Sequence, residues 1–119
     1  MPNTAFFMLR LNDHVQYLKK IDAALNDKND FKGTDHHDCK LGQWLYGEGR
    51  AEIQALNNPK AETLFNSLLE PHEQFHTISH QALEYKAAGD MEAMKAAMTE
   101  MHKLSQIISQ NLLELDTLS

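Results

Sequence analysis

The chain has 119 residues and a mass of 13.6 kDa, enough for one hydrophobic core and not two, so residues 1–119 read as a single domain. Seventeen acidic against eleven basic side chains give a formal charge of −6, which repels phosphate backbones and anionic membranes and argues against nucleic acid or a membrane as a partner. The stretch MPNTAFFMLRLNDH lacks the cationic start and long apolar run of a secretion signal, and no segment has the length of a spanning helix; the cytoplasm is the expected compartment, and the one cysteine excludes an intrachain disulfide.

Strand signals are nearly absent: Val occurs once, and Ala, Leu, Met, Gln, Glu and Lys fill the long segments. In the first segment Phe7, Leu11, His14 or Val15, Leu18, Ile21 and Leu25 recur every three or four residues, which predicts an amphipathic helix to about Asn26. The polar run NDKNDFKGTD follows as a loop. Asp35 reads as an N-cap, with Asp38 three residues on completing an approximate capping box for a short helix through about Tyr46, which Gly47 and Gly49 end. The piece RAEIQAL is a further short amphipathic stretch, broken by Asn57, Asn58 and Pro59.

From about Ala61 to Ala88 a second long stripe runs through Leu64, Phe65, Leu68, Leu69, Phe75, Ile78 and Leu83; Pro71 within it either kinks one helix or starts a second. After Gly89 and Asp90, the residues Met94, Met98, Met101, Leu104, Ile108, Leu112 and Leu115 predict the last helix. The expected fold is all-α, an antiparallel four-helix bundle with additional short helices between the first and second long segments.

The polar residues on these stripes carry the chemistry. His14 takes a position the pattern would give to an apolar residue, and His72 and His76 follow Leu68 by four and eight residues, so all three are expected to point inward. Buried imidazoles need partners, and a shared metal would satisfy all three. The HxxxH spacing aims two rings at one ion from adjacent turns, and Cys39, near a helix start, can offer a thiolate. One sulfur and three nitrogens suit tetrahedral zinc better than magnesium or calcium, with copper the competitor by affinity order. Four protein ligands leave no position for substrate or activated water, which argues against hydrolytic catalysis, and no enzymatic activity is expected.

Three blocks in this order, DHVQY at His14, CKLGQW from Cys39 to Trp44, and PHEQFH with His72 and His76, resemble the chemoreceptor zinc-binding domain of bacterial chemoreceptors and diguanylate cyclases. The resemblance implies a bundle holding zinc through His14, Cys39, His72 and His76, usually as a homodimer. It also implies regulation of chemotaxis or cyclic-di-GMP output through a signalling partner or fused output module outside this chain. Some members of that family are linked to sensing oxidants such as hypochlorous acid through the cysteine.

Other residues have plainer expected roles. His36 and His37 are expected to face solvent, His80 is the substitute ligand should the register differ, and His102 is expected on the surface. Gly42 is expected to allow close helix approach, Trp44 and the Met91, Met94, Met98 and Met101 series to fill core, and Glu70 and Glu73 are candidate partners for imidazole N–H groups. Two other classes compete: a hemerythrin-like di-iron bundle, which needs inward carboxylates, and a metal-free helical interaction module.

Overall fold

The computed structural model describes residues 4–118; the first three residues, part of the N-terminal stretch read above, lie outside the described range. The described residues form five helices and no strand: α1 (Thr4–Leu25), α2 (Lys40–Leu45), α3 (Gly49–Gln54), α4 (Pro59–Ala87) and α5 (Met91–Leu118). The three long helices have the predicted limits to within two or three residues. None of the described helices is long and apolar enough to cross a membrane.

Local chemistry sets the ends. Asp27 takes a left-handed φ of 60° while the Lys28 N–H reaches back to the Ala23 carbonyl at 2.8 Å, closing α1. Asn58 caps α4, its side-chain oxygen accepting from the N–H groups of Lys60 and Ala61, with Pro59 at the first helical position, where no N–H is needed. Gly89 has a φ of 77° and the Asp90 N–H donates to the Tyr85 carbonyl at 2.9 Å, so α4 stops and α5 turns back against it. Pro71 neither starts nor breaks a helix: α4 runs continuously through it.

The long helices pack around one core, in which Phe65, Phe75, Leu68, Met101, Ile108 and Leu112 are fully buried. On α1 the buried seam passes through Phe7, His14, Tyr17, Ile21, Ala24 and Leu25, so His14 rather than Val15 takes the inward position. α1 and α4 run the same way, since Phe7 reaches Phe65 through Trp44, whereas Tyr17 meets Phe75 and His76. The fourth position of the bundle is not one helix. Residues 26–39 and then α2 and α3 travel back along α4, with Thr34 against His76 and His80, Cys39 against His72, and Trp44 against Phe65. The body measures 49 × 21 × 20 Å.

Two expectations change here. The cap of α2 is Cys39, not Asp35: its backbone is extended (φ −72°, ψ 160°) and its sulfur accepts from the Gly42 N–H at 3.2 Å. Asp35 instead closes the preceding turn, accepting from the His37 N–H at 3.1 Å. Gly42 does admit a close neighbour, but that neighbour is the backbone of this turn and not another helix: a Cβ at Gly42 would stand 1.8 Å from the His36 carbonyl oxygen. Gly42→Ala must therefore displace backbone, and overpacking of this kind costs about 3 kcal/mol. Urea unfolding of the variant checks this, and a midpoint equal to the parent's would show that the turn moves aside freely.

Candidate metal centre

Cys39, His72 and His76 are all buried, and one donor atom from each lies within 4.8 Å of the other two. Cys39 Sγ stands 3.3 Å from His72 Nε2. A sulfur and an imidazole nitrogen bound to one tetrahedral zinc, at about 2.3 and 2.0 Å from it, are about 3.5 Å apart, so this pair already has the span of two ligands of one ion. The rings of His72 and His76, one helical turn apart on α4, have centroids 4.8 Å apart.

The ring orientations come from outside α4. His76 Nδ1 lies 3.0 Å from the Thr34 carbonyl oxygen, which can only accept, so the Nδ1–H donates and the Nε2 lone pair is left for a cation. His80 Nε2 donates to the same oxygen at 2.8 Å. That places His80, the substitute ligand by sequence, as a support for the Thr34 loop. His72 is fully buried and its Nδ1 has no hydrogen-bond partner among the described residues. A buried ring with one orphaned nitrogen and the other against a thiol is under-satisfied as a purely structural group. The donor set, two imidazoles and a sulfur gathered in the core, fits a borderline metal such as zinc.

His14 is buried at 3 % exposure, as its place on the stripe requires, but it stands outside the group of three. Its Nε2 shares a 2.8 Å hydrogen bond with the Ser105 hydroxyl on α5, and its ring meets Phe75 edge-on at 4.9 Å. Ser105 was not anticipated, although it left a trace: it is a buried polar residue on the stripe between Met101 and Ile108. Thr34 left none, because its contribution is a backbone carbonyl. Glu70 and Glu73 are exposed, and the carbonyl of Thr34 takes the role expected of them toward His76. Trp44 is core, edge-on to Phe7 and Phe65, with its indole N–H donating to Glu52. Met94 and Met101 are core, whereas Met91 is exposed. His102 is on the surface, 3.0 Å from Asp22.

Burial governs the protonation of the cluster. Desolvation, followed by repulsion between neighbouring rings, lowers His14 from 6.5 to about 4 and His72 to about 3. Desolvation likewise lowers His76 to about 4, against the opposing hydrogen bond to Thr34. All three are neutral near pH 7, the form that binds a metal. Burial pushes the Cys39 thiol up, opposed by the backbone N–H groups of Gly42 and Leu41. Asp35, outside the core, is lowered to about 2 by its hydrogen bonds to His37.

The sequence model of the chemoreceptor zinc-binding domain matches residues 14–83, a span that opens on His14 and contains Cys39, His72 and His76. The chain belongs to this family. No curated protein and no solved structure matches it. As a chemoreceptor zinc-binding domain, it presents a buried cysteine and two buried histidines able to hold a metal.

The depressed histidine values fix a pH dependence for the metal-free chain. Below pH 6.5 the unfolded chain binds protons that the folded chain refuses, so stability falls as pH drops from 6.5 toward 4. Each ring contributes up to about 1.4 kcal/mol per pH unit in that window. Chelator-treated protein should unfold at markedly lower urea at pH 5 than at pH 7, and His72→Asn should flatten the dependence. Equal midpoints at both pH values would contradict burial of neutral rings.

Proposed function

We propose that the chain is a non-enzymatic, zinc-binding regulatory domain of bacterial signalling, working in the cytoplasm as a homodimer. One zinc is held by Cys39, His72, His76 and His14. Its output is chemotaxis or cyclic-di-GMP control, through a signalling partner or fused output module. The observation that carries the reading is the buried Cys39, His72 and His76 group, in a chain of this family. His14 completes the set by releasing Ser105 or by offering its other ring nitrogen. No Asp or Glu is among the buried described residues, which favours zinc over the bridging carboxylates of a di-iron bundle.

The four residues come from α1, the cap of α2 and α4, so binding joins three parts of the bundle that the chain itself connects through a long loop. When bound, zinc supplies a fixed charge that keeps the Cys39 sulfur as thiolate. Four protein donors leave no place for a substrate. Cys39 also lines a cavity of about 230 Å³ with Asn12, Asp13 and Gln16 of α1, through which a small oxidant reaches the sulfur. Hypochlorous acid would oxidise the thiolate to sulfenic acid with loss of chloride, and the oxidised sulfur is the poorer ligand. Cys39 is thus the residue through which zinc occupancy becomes sensitive to oxidants.

Zinc added to chelator-treated protein should raise its thermal midpoint, with about 2.7 kcal/mol of added stability at a hundred times the dissociation constant. Cys39→Ala and His72→Ala should each lose most of that stabilisation. His14→Ala should weaken binding without abolishing it, because the other three donors are already gathered. Absence of any zinc-dependent shift in the parent chain would refute the reading.

A further inference from the structure

A second group of donors lies outside the buried centre. Asp35, His36 and His37 each offer one donor atom within 4.8 Å of the other two. His37 Nδ1 is 2.6 Å from Asp35 Oδ2 and His36 Nδ1 is 3.6 Å from Asp35 Oδ1, and the two imidazole rings are tilted by 37° with centroids 4.1 Å apart. The 2.6 Å contact is a hydrogen bond from His37 Nδ1–H, whose proton a cation would displace, and the 3.6 Å span is close to the separation of about 3.4 Å between an oxygen and a nitrogen held at about 2.1 Å by one tetrahedral ion.

The placement of the group argues for more than a surface ion pair. His36 and His37 line an open groove of about 850 Å³ together with Glu70, Glu73 and Glu100, a set of carboxylates that concentrates cations. At the inner end, the His36 ring lies 6.3 Å from that of His72, and the His36 carbonyl is 3.8 Å from Cys39 Sγ. Tyr46 packs against both His37, at 4.6 Å, and His72, at 6.3 Å. On the groove side, the group therefore stands between solvent and the buried cysteine. Asp35 and His37 are more than half exposed, whereas the His36 side chain is only 19 % exposed.

We propose that Asp35, His36 and His37 form a second, solvent-facing site for zinc-like divalent ions, from which the buried centre is loaded. Two imidazoles and a carboxylate suit zinc, cobalt or nickel, and with three protein donors the fourth position stays with water, so ions exchange readily. The loading role rests on zinc occupancy of the buried centre, whereas the second site itself does not.

Cobalt chloride titration separates the two, because only the buried site gives a thiolate-to-cobalt absorption band. The parent chain should bind two equivalents, one with that band and a weaker one without it. In Asp35→Asn/His37→Gln the second equivalent should disappear while the thiolate band persists. Asn keeps the oxygen that accepts the residue 37 N–H, and the metal-free variant should melt with the parent. Transfer of zinc from a chromophoric chelator to the buried site should slow about tenfold in this variant. In Cys39→Ala the equivalent without the band should remain. A double variant that still binds two equivalents, or that loads zinc at the parent rate, overturns the proposal. Absence of the thiolate band from the parent would instead count against the buried zinc centre.

Discussion

Keeping three neutral imidazoles and a thiol inside a bundle about 20 Å across is the constraint on which the rest of this structure depends. Each ring nitrogen withdrawn from water must find a partner, and helices packed side by side offer few, because their own backbones are saturated. The chain brings partners from elsewhere: the carbonyl of Thr34 from the loop after α1, the hydroxyl of Ser105 from α5, and the sulfur of Cys39 from the cap of α2. That need accounts for the irregular fourth side of the bundle. A fourth regular helix would aim its carbonyls along its own axis, into its own turns, rather than across the bundle toward His76.

The same irregular side brings the chemistry together. Cys39 serves two neighbours at once, accepting from the Gly42 N–H while facing His72, and so fixes the start of α2 against the middle of α4. The tight turn from Asp35 to Asp38 holds it there, with the His36 carbonyl lying over Gly42. The histidine pair at the groove and the buried cysteine are consequences of one turn, which places its first residues at a groove and its last in the core.

Much of this was legible in the sequence, and the reasons differ residue by residue. The stripes of α4 and α5 follow helical spacing through long runs of good helix formers, and burial obeyed that spacing at Phe65, Leu68, Phe75, Met101, Ile108 and Leu112. Inward histidines at 14, 72 and 76 were legible for the same reason, since a polar residue on an apolar stripe is conspicuous. The cap of α2 was misread because Asp35 and Asp38 have the spacing of a capping box. The carboxylate of Asp35 is taken by His37, and a thiol is not a residue that capping preference brings forward. The separation of His14 from the other three was not legible at all: it depends on the Ser105 hydroxyl, ninety-one residues away.

The double acceptor at Thr34 has an effect on how variation in this chain must be read. Its carbonyl oxygen receives both His76 and His80, and every amino acid supplies the same atom, whereas the Thr34 N–H is held by the Tyr17 hydroxyl and its own hydroxyl donates to the Asp35 carbonyl. What aims the shared oxygen is the residue before. Gly33 has a φ of 79°, and a Cβ there would come 2.9 Å from His80 Cε1. The steric demand created by two histidines is therefore displaced one residue upstream of the atom they use, onto a position that carries no side chain.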